Sequence, residues 1–199
     1  MKKRKGATIP KALRHQSTSY STPAVIRHAR EFPLVECLIS PDWQNESPGL
    51  VQIVVTRQQA DDQLCFGMFL VDKLCLGLKN TFARANYSPE HYHDEVLKMF
   101  QDRQPKPCPP ELAYQMIYES IDYAAKYGFA PQKDFELTQN MLIPRDEVVS
   151  SYKLKFGKKG KPLFISGPHD NAPAIIKQLE LTAGHGNYDY VIMAPPDMY

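Results

Sequence analysis

Thirty-three consecutive residues, 50 to 82, constrain this chain more than any other segment. Leu50-Val51-Gln52-Ile53-Val54-Val55 is rich in β-branched side chains and reads as a strand. Asp61-Asp62-Gln63 supplies turn chemistry, and Leu64 to Leu70 reads as the returning strand, with Gly67 where a neighbour comes close. Val71 to Phe82 continues as a second apolar stretch, bent at Gly77. Strands joined by so short a turn must pair antiparallel, so any fold of this chain has to be built around such a sheet.

Helical signals surround it. Thr22-Pro23 predicts a cap followed by proline in the first turn of a short helix to about Phe32, and Leu34–Ile39 a short strand or apolar tether. Pro41–Gly49 reads as loop and holds the only tryptophan, Trp43. Ser88-Pro89 opens a helix reaching about Arg103, with Tyr92, Val96, Met99 and Phe100 on one stripe. Residues 104–110 carry four prolines and read as a semi-rigid linker. Glu111–Tyr127 is the clearest helix, stopped by Gly128, and Lys133–Met141 predicts another. Tyr152, Leu154 and Phe156 alternate with Ser151, Lys153 and Lys155, the pattern of a half-buried strand. Gly157-Lys158-Lys159-Gly160 then turns that strand into Pro162–Ile165 as a hairpin. A helix near Pro173–Ala183 and a strand from Tyr188 to Met193 finish the chain. The sum is an α+β fold with a mixed, mostly antiparallel sheet and three to five helices. It forms one domain over residues 22–199, preceded by a disordered basic arm over residues 1–21.

Charge separates the arm from the body. Lys2, Lys3, Arg4, Lys5, Lys11 and Arg14 stand in the first 21 residues without an acid, leaving 18 basic against 22 acidic side chains in the rest. Such an arm suits a polyanionic partner through counterion release. Its alternative is a solvated tail. Lys153, Lys155, Lys158, Lys159 and Lys161 form a second basic cluster around a Gly-rich turn whose backbone N–H groups suit phosphate. The plainer reading is a sheet edge that uses lysine against aggregation.

Catalytic signals are sparse. Asp72, Lys73 and Lys79 interrupt the apolar run, either as a polar site with Asp72 as base or metal ligand and Lys79 as anion contact, or as a salt bridge or outward-facing charges. Cys75 reads as a packed thiol rather than a nucleophile. His91 and His93 lie two apart on a helix, point to different faces and do not share a metal. His169, in Gly167-Pro168-His169-Asp170-Asn171, precedes a helix and suits either acid–base work or simple capping. No Walker loop, GxGxxG, GxSxG or HExxH occurs, which weighs against the commonest nucleotide-binding and hydrolase classes. No cofactor or metal is expected. Cys37, Cys65, Cys75 and Cys108 show no paired spacing and read as reduced thiols of a cytoplasmic protein. The N-terminus lacks the apolar core of a secretory signal, and no run approaches a membrane span.

Phe69-Leu70-Val71-Asp72 with Cys75-Leu76-Gly77-Leu78-Lys79, Tyr123-Ala124 with Gly128-Phe129-Ala130-Pro131 and Asp134, and Phe156–Pro162 followed by Gly167-Pro168 resemble a bacterial family of hypothetical proteins in order and spacing. The resemblance covers roughly residues 34–180 and implies a single domain, with no activity, substrate or cofactor attached. Gln132 stands where such relatives carry His, which argues against a catalytic role there.

Three functions follow as expectations. The first is a non-catalytic accessory protein that binds nucleic acid or a ribonucleoprotein through the arm and the lysine hairpin. The second is an uncommon hydrolase or nuclease using Asp72, Lys79, Asp134 and His169, which requires the four to converge. The third is a protein–protein adaptor in a bacterial complex, marked by an exposed apolar patch near Trp43 or the 104–110 linker.

Overall fold

In the computed structural model, described for residues 21–45, 49–60, 62–101, 103–149 and 151–193, the apolar run from Leu50 becomes the spine of a five-stranded antiparallel sheet. The basic arm lies outside the described residues except for Ser21, whose carbonyl accepts the first hydrogen bonds of helix α1 (Thr22–Arg27). Strands β1 (Leu34–Ile39), β2 (Leu50–Gln58), β3 (Leu64–Asp72) and β4 (Gly77–Tyr87) pair in sequence order. The Pro-rich linker contributes more than a spacer. Lys106–Pro107 forms β5 against Leu38 and Ile39 at the outer edge of β1. Proline is tolerated there because an edge strand needs only half of its backbone donors.

Strand alternation sorts the side chains onto two faces. Val51, Ile53 and Val55 of β2, with Cys65, Phe69 and Val71 of β3, pack under α1 and α3 (Pro110–Ala125). Val54, Phe66 and Met68 meet the Tyr92, Val96 and Phe100 stripe of α2 (Pro89–Met99) on the other. Ser88 caps α2 by accepting from the His91 N–H at 3.3 Å. Both faces of this sheet are therefore covered, which explains why β2 and β3 read as nearly continuous apolar runs rather than as clean alternation.

The stretch expected to continue from Val71 to Phe82 is instead two strands joined by a turn at residues 73–76. Gly77 begins β4 at φ +66°, and a Cβ there would lie 2.6 Å from the Ser120 carbonyl oxygen of α3. Only glycine lets the turn sit that close to the helix. One residue later the register slips: Val71 pairs with Leu78 and Leu70 with Asn80, which leaves Lys79 as a bulge.

The predicted helix Lys133–Met141 is shorter than expected. It comprises α4 (Phe135–Thr138) and a 3-10 turn over Gln139–Met141. A small unit follows the main sheet, in which β6 (Leu163–Ile165) and β7 (Asp189–Val191) pair in parallel, connected through α5 (Ala172–Thr182). Phe164 and Leu179 pack with Cys75 of the β3–β4 turn and fasten this unit to the sheet. The fold is α+β, as its sequence of elements implied. No helix among the described residues is long and apolar enough to cross a membrane.

A candidate anion-binding cleft

The expected strand over residues 151–156 does not form, and with it goes the expected hairpin. Residues 151–156 have no strand partner and bend at Tyr152, and β6 pairs with β7 instead. The two-residue alternation is nonetheless real: Tyr152, Leu154 and Phe156 are half-buried, while Ser151, Lys153 and Lys155 are exposed. A side chain replaces the missing ladder. Gln115, buried on α3, accepts from the N–H groups of Ser151 and Tyr152 at 3.1 and 3.0 Å and donates to the Tyr152 carbonyl at 2.7 Å. Period-two burial thus arises from a strap laid across α3. Phe156 stacks on Tyr123 with centroids 5.6 Å apart, so that ring serves the wall and is not a platform for a ligand.

The strap ends in the glycine-rich turn. Lys158 and Lys161 exchange backbone hydrogen bonds at 2.7 and 3.1 Å around Lys159 (φ +52°) and Gly160 (φ +79°). Two positive φ values define the tight turn usual between antiparallel strands, but only this one bridge is made. The left-handed backbone at a lysine costs on the order of 1 kcal/mol. The N–H groups of Lys159 and Gly160 stay outside the turn's own bonds.

Lys73 joins this turn to the loop that carries Trp43. Its backbone carbonyl accepts from the Gly157 N–H at 2.9 Å, and its N–H donates to the Gly49 carbonyl at 2.9 Å. Its side chain is buried, and Nζ donates to the carbonyls of Trp43 and Asn45 at 2.5 and 3.0 Å. Between these walls lies a cleft of about 690 Å³. Trp43 and Gln44 form one lip, Leu74 and Met116 contribute apolar floor, and Lys153, Lys155, Lys159 and Gly160 form the opposite lip. Four lysines and no acid occur among the described residues that line it. Lys153, Lys155 and Lys159 are exposed at the rim.

The sequence reading located the lysines but not their partners. Trp43 was expected in a loop and Lys73 in a strand interior, and nothing in their spacing joined residue 43 to residue 155. The remaining lysines of the cluster differ: Lys158 is exposed at the turn, and Lys161 donates to the Gly186 carbonyl at 2.6 Å. Lys2, Lys3, Arg4, Lys5, Lys11 and Arg14 lie outside the described residues.

Three of the four candidate catalytic residues, Asp72, Lys79 and Asp134, make other contacts. Asp72 Oδ1 accepts from the N–H groups of Leu74 and Cys75 at 2.8 and 3.1 Å, and Oδ2 from Leu76 at 3.2 Å, closing the β3–β4 turn. Burial pushes its carboxyl above the usual range, against the pull of those donors and of Lys79. Lys79, displaced by its bulge, reaches Asp170 at 2.5 Å, and the same Asp170 oxygen accepts from the Gly167 N–H at 2.7 Å. Asp134 is exposed and bonded to Gln132, and His169 is exposed. No hydrogen bond or ion pair among the described residues joins Asp72, Lys79, Asp134 and His169 to one another. Burial pushes the Cys75 thiol far above its ordinary value, opposite to what a nucleophile needs. No group of three His, Cys, Asp or Glu side chains among the described residues is placed to hold a metal.

Trp43 packs half-buried against the main core, and residues 106–107 form β5. Exposed large apolar side chains among the described residues include Leu34, Val35 and Leu50 as well as the run from Tyr190 to Met193. Compared with family models, curated proteins and solved structures, the chain matches none. Its functional reading rests on its own geometry.

Proposed function

We propose that this is a non-catalytic accessory protein that docks on nucleic acid, free or within a ribonucleoprotein, through the Trp43 cleft and the basic arm. The observation that carries the reading is that Trp43, Lys153, Lys155 and Lys159 line one cleft. Stacking on an aromatic ring contributes about 1–3 kcal/mol per base and requires an unpaired one, which favours single strands over duplexes. Lysines at the rim add phosphate contacts, and each neutralised phosphate of a single strand steepens the salt dependence by about 0.7 in log–log slope. Lys2, Lys3, Arg4, Lys5, Lys11 and Arg14 would extend that footprint without reading sequence.

The deciding experiment titrates a fluorescently labelled single-stranded oligonucleotide with the full chain at several salt concentrations, beside a K153A/K155A/K159A variant and W43A. Weaker binding with a shallower salt slope in the triple variant, and weaker binding with unchanged slope in W43A, support the reading. Unchanged affinity in both variants overturns it.

A further inference from the structure

The main sheet brings together two cysteines that lie far apart in the chain. β5 meets β1 in antiparallel register, with Ile39 opposite Lys106 and Leu38 opposite Pro107. One step further the same register sets Cys37 opposite Cys108, and the Cys108 N–H donates to the Cys37 carbonyl at 2.9 Å. Directly opposed residues of an antiparallel pair present their side chains on one face. Both cysteines do so: Cys37 is buried within the main core, and Cys108 packs half-buried against the same core.

Hydrogen-bonded antiparallel partners hold their Cα atoms about 5.5 Å apart, inside the roughly 4.4–6.8 Å that a disulfide spans. The thiols also feel each other. After burial itself, Cys108 is the strongest influence raising the Cys37 thiol, as a neighbouring acid does. The other cysteines are placed differently. Cys65 stands opposite Arg57 on β2, and Cys75 packs with Phe164 and Leu179 in a separate cluster.

We propose that Cys37 and Cys108 are a reversible redox pair, whose disulfide locks the segment leading into α3 onto the edge of β1. The oxidant is a low-molecular-weight disulfide of the glutathione type. The thiolate of Cys108, the less buried of the two, attacks one sulfur of that disulfide, releases one small thiolate and forms a mixed disulfide. The Cys37 thiolate then attacks Cys108 Sγ and expels the second small thiolate. Two protein thiols thus give up two electrons and two protons, and the small disulfide takes them up as two thiols. Burial pushes both protein thiols up to about 12, so the thiolate fraction near neutrality is small and closure takes minutes to hours. Such a pair registers a sustained oxidising poise rather than turning over as a catalyst. Its consequence is mechanical: β5 pairs through two residues only, and a covalent bond beside them closes a long loop through α2. α3, whose Gln115 holds the strap, begins two residues beyond Cys108.

Incubating the folded full chain with oxidised glutathione tests this. Of the four thiols, two should become unreactive to a thiol reagent added in denaturant, and dithiothreitol should restore them. Peptide mapping without reductant should recover Cys37 joined to Cys108. The oxidised chain should melt about 5 °C above the reduced one, and C108S should show no such difference between the two conditions. Four thiols still free after a day of exposure overturn the proposal. A glutathione adduct that stays on Cys108 while Cys37 remains a thiol does the same, because it places the two sulfurs out of reach. Pairing that involves Cys65 or Cys75, or a Cys37–Cys108 bond that fails to raise the melting temperature, also overturns it, since either bond would have formed through an unfolded chain.

Discussion

The ammonium of Lys73 donates to the carbonyl of Trp43 at 2.5 Å, while the carbonyl of the same lysine accepts from Gly157. One residue at the end of β3 therefore fixes both lips of the cleft. K73M should release the Trp43 loop at a cost of about 1–3 kcal/mol, because two carbonyls lose a charged donor. Trp43 is the only tryptophan, so its emission reports this loop alone. The expected outcome is a red-shifted spectrum and a lower urea midpoint. An unshifted spectrum would mean that the loop holds its place without Lys73.

Gln115 should be equally decisive for the other lip. Q115L removes the three hydrogen bonds that tie Ser151 and Tyr152 to α3, at about 1–2 kcal/mol for the part-buried groups left unpaired. Lys153 and Lys155 sit in the strap that is freed. Trypsin should cut there several-fold faster while cleavage elsewhere stays slow, which mass spectrometry of a timed digest would reveal.

Tyr92 fastens α2 to the sheet. Its hydroxyl lies 2.6 Å from Thr56 Oγ1 and donates to Glu36 at 2.8 Å. Y92F keeps the ring among Phe66 and Val96 but strands Thr56 and Glu36. A loss of about 1–2 kcal/mol is expected, measured by denaturant unfolding. A neutral result would show that water reaches both partners.

Alkaline pH should destabilise the protein through its thiols. Burial pushes Cys37 up to about 12 and Cys65 up to about 11, from the ordinary 9.0. Above pH 9 the unfolded chain releases these protons while the folded chain keeps them, so stability falls as pH rises. It is fully retained below pH 9. The slope approaches about 1.4 kcal/mol per pH unit for each thiol. C65A should flatten the decline, and melting temperatures between pH 7.5 and 10.5 would show it.

The main sheet was legible because local patterns dictated it. Strand propensity, turn chemistry and two cap-and-proline starts each spoke for residues near one another. The failures share a cause. Lys153 to Phe156 carry a strand's alternation, yet a single glutamine from residue 115 supplies what a neighbouring strand would have given. Lys73 read as an interruption of a strand because its partners, 28 and 30 residues upstream, left no periodic mark. Asp72 read as a candidate base because its real use, holding three N–H groups of the next turn, depends on a bend that hydrophobicity alone does not reveal. Parallel pairing of β6 with β7 was likewise hidden, since distant strands carry no signature of their register.

The cleft draws its lining from residues 43–44, 73–74, 116 and 153–160. Such long-range closures carry loop entropy, so the lining exists only once segments more than a hundred residues apart have come together. A ligand that used the proposed cleft would meet its whole lining only in the folded chain.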